Sequence, residues 1–174
     1  MPPKNTLQFT STLEKSSNKL WGCHFGVPKS IAQKLIHGDS RRVVCALNGS
    51  AEHQCALLPH GNGSFVITVN KKLRDTLRLE FGMPVQVSLR KDDSKYGLPM
   101  PEELEELLRQ DKEGHRLFHS LTPGRLRTLL YIVGQAKNSD NRIARALIIV
   151  HHLKANKGKI NYRQLSASLR ESRR

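Results

Sequence analysis

Residues 69–89 of the chain repeat residues 27–47. Val69, Lys71, Leu73, Leu77, Val85 and Leu89 stand 42 positions after Val27, Lys29, Ile31, Leu35, Val43 and Leu47. An internal repeat constrains a fold more than any local propensity does, because both copies must form the same unit. Each copy reads as a strand ending at the valine, a short helix and a second strand. Pro28 suits the first turn of one helix and Asn70 the cap of the other. Ile31 with Leu35, and Leu73 with Leu77, give each helix one narrow apolar stripe. Lys29 and Lys34 lie opposite that stripe in one copy, and Lys71, Arg74 and Arg78 in the other. Val43, Cys45 and Leu47, like Val85, Val87 and Leu89, alternate with period two, so the strand after each helix buries one face.

The flanking segments fit around this repeat. Leu7, Phe9 and Leu13 begin an alternating strand, and 14–19 is a polar turn. Residues 20–27 form a second strand with Trp21, Cys23 and Phe25 on one side. Asn48-Gly49 marks a hairpin, since both residues accept positive φ, and residues 53–58 return from it. Six short strands and two short helices bury a core only by closing on themselves, which also removes exposed sheet edges. The expected fold is therefore α+β: a small closed β-barrel over residues 6–92 with an internal pseudo-twofold strand–helix–strand repeat, followed by a C-terminal helical module.

That module is expected over residues 99–156, after a polar hinge at 92–97. Pro101-Glu102-Glu103 starts a helix with acids at the positive end of its dipole, and Gly114 is expected to interrupt it. Thr122-Pro123-Gly124 and Asn138-Ser139-Asp140 read as the starts of two more helices. Beyond Lys157 the chain is basic, with Glu171 its one acid, and residues 157–174 are expected as a mobile tail with at most a weak helix around Leu165 and Leu169.

Lys plus Arg number 29 against 15 Asp plus Glu, a formal net charge of +14. That balance favours polyanionic partners such as DNA or RNA, or an anionic surface. The three cysteines, Cys23, Cys45 and Cys55, show no Cys-x-x-Cys spacing and sit in apolar strand patterns, where they read as small hydrophobes. An odd count without a disulfide framework implies a reducing, cytoplasmic setting. No apolar run is long enough for a membrane helix.

The core from Val69-Asn70-Lys71-Lys72-Leu73-Arg74 through Leu79, Gly82, Val85 and Val87 resembles the swapped-hairpin motif of AbrB, MazE and SpoVT-type transcription factors. Those barrels are built from two chains, whereas this one chain contains both halves. A longer likeness runs through Trp21, Val27-Pro28, Asn48-Gly49, Pro59, Gly61, Gly63, Asn70-Lys71 and Leu73-Arg74, which resemble the small β-barrel domain of an uncharacterised bacterial family. Pro101-Glu102-Glu103-Leu104, Phe118, Leu121, Ala136-Lys137 and Arg142-Ile143-Ala144-Arg145 resemble its partner domain, called YdeI or OmpD-associated, or bacteriocin-protection. The chain departs from the pattern after the turn glycine Gly82, where Met83-Pro84 replaces the usual acid. The resemblance carries no established chemistry.

Reactive constellations are sparse. His115 and His119 have metal-ligand spacing without a third ligand nearby. The acids at 102, 103, 105 and 106 suit a solvated helix start. Gly61-Asn62-Gly63 lacks the Lys-Ser/Thr of a phosphate loop. No catalytic residue, resident metal or cofactor is expected. The basic residues are the better candidates: Lys29, Lys34, Arg41 and Arg42 from one copy, Lys71, Lys72, Arg74 and Arg78 from the other, with a second set of Lys137, Arg142, Arg145 and Lys154. Cations of this kind contact phosphates without choosing a sequence. The leading expectation is a non-enzymatic protein that binds nucleic acid weakly and tolerantly. The alternative is a small-ligand or protein-interaction module with a pocket at the barrel–helix junction.

Overall fold

A computed structural model describes residues 5–17 and 22–172, so Trp21 and the last two residues of the basic segment lie outside the described residues. The chain divides into two units, 1–93 and 94–174. The first contains β1 (Leu7–Lys15), β2 (Cys23–Val27), α1 (Lys29–Leu35), β3 (Arg42–Leu47), β4 (His53–Ala56), β5 (Leu58–Pro59), β6 (Phe65–Val69), α2 (Lys71–Thr76) and β7 (Pro84–Lys91). The strands are antiparallel in the order β4-β3-β7-β1-β2-β6-β5. The two outermost strands, β4 and β5, are consecutive pieces of one extended segment, so the sheet makes a nearly closed barrel.

Closure depends on two strands that change partner midway. β1 pairs with β7 along 7–12 and with β2 along 13–15. The segment 53–59 pairs first with β3 and then with β6. At the two handover points sit Leu13 and Leu57, both almost wholly enclosed. The Leu13 N–H donates to the Met83 carbonyl at 3.0 Å, and the Leu57 N–H to the Arg41 carbonyl at 2.9 Å. Met83 and Arg41 are again 42 apart (83 − 41). The break at Leu57 is why the structure has seven strands where periodicity suggested six.

The ladders carry the repeat as a twofold. Exchanging halves by 42 positions turns Cys23↔Val69 into Phe65↔Val27, and Leu47↔Val87 into Leu89↔Cys45; both resulting pairs are present. The inward positions, among them Phe25, Val43, Leu47, Ile67, Val85 and Leu89, make one apolar core. The helices cover it unequally. Ala32 and Leu35 of α1 are buried, while Leu73 and Leu77 of α2 are only half-buried. α2 ends early because Arg78 takes φ 51° and the Leu79 N–H reaches back to the Arg74 carbonyl at 2.9 Å, a Schellman-type end that brings Leu79 rather than Leu77 into the interior.

The second unit contains α3 (Glu102–Gln110), α4 (Lys112–His119), α5 (Pro123–Gly134), α6 (Ser139–Ala155) and α7 (Tyr162–Glu171). α6 is its axis, with α3, α4, α5 and α7 all packed against it. Asn138 caps α6 by accepting from the Asn141 N–H at 2.9 Å. Two expectations are corrected here. Gly114 does not interrupt a helix: the break falls at Asp111, whose carboxylate accepts from the Gly114 N–H at 2.8 Å and caps α4. Gly114 lies inside α4 because a Cβ there would stand 2.7 Å from Val150 Cγ1 of α6. The segment beyond Lys157, expected as a mobile tail with at most a weak helix around Leu165 and Leu169, forms the docked helix α7 over just those residues, with Leu165 buried in the helical core. The reason is apolar spacing: Leu165 and Leu169 share a face, and His152 anchors the helix start by accepting from the Asn161 N–H at 3.1 Å. Among the described residues no helix is long and apolar enough to cross a membrane.

Two predictions follow from this packing. An exposed helical glycine changed to alanine gains up to about 1 kcal/mol, but Gly114→Ala is expected to lose about 1–3 kcal/mol in urea melts, because the new methyl overpacks against Val150. Burial, and then the neighbouring His151, hold the His152 imidazole below its usual value of 6.5. A depressed histidine contributes in full above that usual value, and the contribution is lost as pH falls through the lower folded-state value. Amide protection factors in α7 should therefore drop on acidification from neutral pH toward 5, and His152→Ala should abolish that dependence.

Candidate nucleic-acid interface

The basic residues divide by what they touch. In the barrel, Lys29, Lys34, Arg41, Lys72 and Arg78 are exposed and Arg74 is partly so. None of these six makes an ion pair among the described residues. Lys71 is paired with Asp75 one turn away, and Arg42 is half-buried beside Cys55. Two arginines lie over phenylalanine rings: Arg41 Cζ is 6.0 Å from the Phe65 centroid and Arg74 Cζ is 5.3 Å from that of Phe81. Lys29 extends along the turn at Gly63, its Nζ 3.7 Å from where a Cβ would stand. That turn and Phe65 place Lys29 and Arg41 in one neighbourhood.

The repeat relates these charges less closely than it relates the backbone. Lys29 and Lys71 are mates at the 42-residue offset. Lys34, Lys72 and Arg74 face Thr76, Ser30 and Ala32 at theirs. The fold duplicates a scaffold, and each half decorates it with its own cations.

The second set behaves differently. Arg142 pairs with Glu103 at 2.8 Å and also donates to the Ala136 carbonyl. Arg145 donates to the Ile132 carbonyl at 2.7 Å, and Lys154 bridges Asp111 at 2.8 Å and Glu113 at 3.8 Å. These three tie α6 to α3, α4 and the end of α5. Backbone N–H donors first, and then Arg142 at Glu103 and Lys154 at Asp111, hold these two carboxyls below the usual carboxylate range. Lys137 is exposed and makes no such bridge among the described residues. The histidine pair is also engaged internally: His119 meets Tyr96 Oη at 2.9 Å through Nε2 and the His115 carbonyl at 2.9 Å through Nδ1.

Sequence reasoning missed one constellation. Cys45, His53 and Cys55 bring their ligand atoms within 4.8 Å of one another on the inner side of the β3–β4 hairpin. Cys45 faces His53 across the ladder, and Cys55 faces Val43. A hydrogen bond from Cys45, then the neighbouring His53 and Arg42, outweigh burial and hold the Cys55 thiol below its usual range, while Cys45 is pushed up. No local signal gives the cluster: the Asn48-Gly49 turn alone would set Cys45 opposite Glu52, and only the one-residue shift before β4, which sets Cys45 opposite His53, puts 43, 45, 53 and 55 on one face.

Comparison with known families agrees with this two-part layout. Residues 9–89 match the family described as Domain of unknown function (DUF1905). Residues 98–156 match the family described as Bacteriocin-protection, YdeI or OmpD-Associated. No curated protein matches the chain.

The division of the cations is testable. Arg145→Ala removes a charged donor from a part-buried carbonyl and is expected to cost about 1–3 kcal/mol in denaturant melts, leaving any polyanion affinity unchanged. Lys72→Ala should do the reverse, weakening polyanion binding without a detectable shift in the melt.

Proposed function

We propose that this two-domain chain is a non-enzymatic binding protein whose barrel engages nucleic acid weakly and with little sequence preference. The observation that carries the reading is the set of six barrel cations, Lys29, Lys34, Arg41, Lys72, Arg74 and Arg78, that make no ion pair among the described residues. Such charges are free to replace counterions on a phosphate backbone, which gives affinity without base readout. Arg142, Arg145 and Lys154 contribute less, since they are engaged within the helical unit. A distant kinship with the swapped-hairpin barrels of AbrB-type transcription factors fits the same reading, supported by the twofold-related ladders within one chain. A reducing, cytoplasmic setting in a bacterial cell accords with three cysteines outside any disulfide.

A second reading, a small-ligand or protein-interaction module, draws support from a groove of about 360 Å³ between α6 and α7. Leu147, Ile148, His151 and Ala155 line one side and Gln164 and Ser168 the other. This groove lies within the helical unit.

The experiment is a salt titration of binding to a labelled duplex and a labelled single strand, read by anisotropy. With about four to five phosphate contacts the log–log slope on duplex DNA should be near −4, at about −0.9 per contact. Lys72→Ala with Arg74→Ala should reduce its magnitude by about 1.8 and weaken all sequences alike. No binding at low salt, or a slope indifferent to these substitutions, would remove the barrel from consideration. The groove between α6 and α7 would then be the place to look for a ligand.

A further inference from the structure

The inner face of the barrel is otherwise apolar, and a cluster of two thiols and an imidazole there needs a reason. Cys45 is completely enclosed, and His53 and Cys55 are half-buried. His53 Nδ1 is buried without a hydrogen-bond partner among the described residues. Cysteine alone is unremarkable in a core. A histidine with an unsatisfied ring nitrogen beside two cysteines is costly unless something accepts its lone pair.

We infer that the β3–β4 hairpin holds a borderline-soft divalent cation of the zinc class through Cys45, His53 and Cys55, with a fourth position left for an exogenous ligand. The donor set decides the class: two sulfurs and an imidazole suit zinc and exclude the hard, oxygen-seeking calcium and magnesium. The geometry is close to what the ion requires. Around a tetrahedral zinc, with bonds of about 2.3 Å to sulfur and about 2.0 Å to nitrogen, neighbouring donors stand about 3.5–3.8 Å apart. The three donor atoms already lie within 4.8 Å of each other, so side-chain rotation of about 1 Å completes the set. The scaffold is rigid, because Cys45 sits between β4 and β7 in register with His53 and Leu89.

The charge balance suits the place. Two thiolates neutralise a divalent ion, so the loaded site is neutral and tolerates burial better than an isolated ion does. On binding, each thiol still protonated releases its S–H proton to solvent as the sulfur–metal bond forms, and no electrons are transferred. This site is independent of the cationic surface, so either can fail without the other.

The test uses the full-length, reduced protein and Co²⁺ as a spectroscopic probe under anaerobic conditions. One equivalent should produce thiolate-to-cobalt charge-transfer absorption with the visible bands of a tetrahedral ion, and one equivalent of Zn²⁺ should remove them. Cys55→Ser and His53→Ala should each weaken binding at least about tenfold. Cys23→Ser should leave it unchanged, since Cys23 Sγ donates to the Val69 carbonyl away from the site. Should a variant fail to fold by circular dichroism, alkylation of the wild type decides: Zn²⁺ should slow modification of Cys55 at least about tenfold. Absence of charge-transfer absorption at stoichiometric Co²⁺, an unchanged spectrum in folded Cys55→Ser, or unprotected alkylation of Cys55 would each overturn the inference.

Discussion

The barrel depends on the two backbone hydrogen bonds at Leu13 and Leu57. A sheet of short strands leaves unpaired N–H and C=O groups along two edges, and each buried orphan is costly. Here each edge is met by a strand that gives one half of its length to one neighbour and the other half to the next. The handover forces a local bend, and at each bend a leucine turns into the core while its amide donates to the opposite copy, Leu13 to Met83 and Leu57 to Arg41. These are equivalent bonds in the two halves. The twofold follows from the closure: two copies of one unit exchange their edge strands, so neither copy has a complete sheet alone.

The helical unit solves a different problem. Its helices are short and individually unstable, so they borrow order from α6, the longest of them. Close approach on one side is set by Gly114 against Val150. Elsewhere the long cationic side chains Arg142, Arg145 and Lys154 reach across to carbonyls and carboxylates of the surrounding helices. A basic helix that a charge count would assign to a polyanion is thus partly a set of internal ties. The barrel cations are the contrary case: Lys29, Lys34, Lys72 and Arg74 stand on two short helices, and Arg41 and Arg78 beside a strand start and a helix end, where among the described residues Asp75 pairs with Lys71 and not with any of these six.

The inner and outer faces of the same barrel therefore offer different chemistry. Away from the core the barrel presents cations, with Arg41 over the Phe65 ring and Arg74 over that of Phe81. The inner face of the β3–β4 hairpin concentrates soft donors at Cys45, His53 and Cys55. Alternation with period two keeps Cys45 inward on β3, while Arg42 at the start of that strand is half-buried beside Cys55 and does not belong to the exposed set.

The local patterns were legible in the sequence. The repeat at 42 residues, the period-two strands, the Asn48-Gly49 turn, the starts of α5 and α6, and the two-part layout are carried by residues close together in the chain, and the structure has them. What depended on partners distant in sequence was not legible. Leu57 breaks a strand because it must leave β3 for β6; Gly114 stays helical because Val150 of α6 comes within 2.7 Å of its absent Cβ; the helical spacing of Leu165 and Leu169 was legible, but residues 162–171 are docked because Leu165 finds a core and Asn161 finds His152. The candidate site divides the same way. Which residues are cationic was plain from the sequence, but whether a cation faces solvent or a carboxylate was settled by packing, as for Arg142 with Glu103, 39 residues away (142 − 103). Cys45, His53 and Cys55 each looked like an ordinary strand residue until the hairpin register put their donor atoms together. Periodicity fixes which side of an element faces inward, and only tertiary structure decides what it meets there.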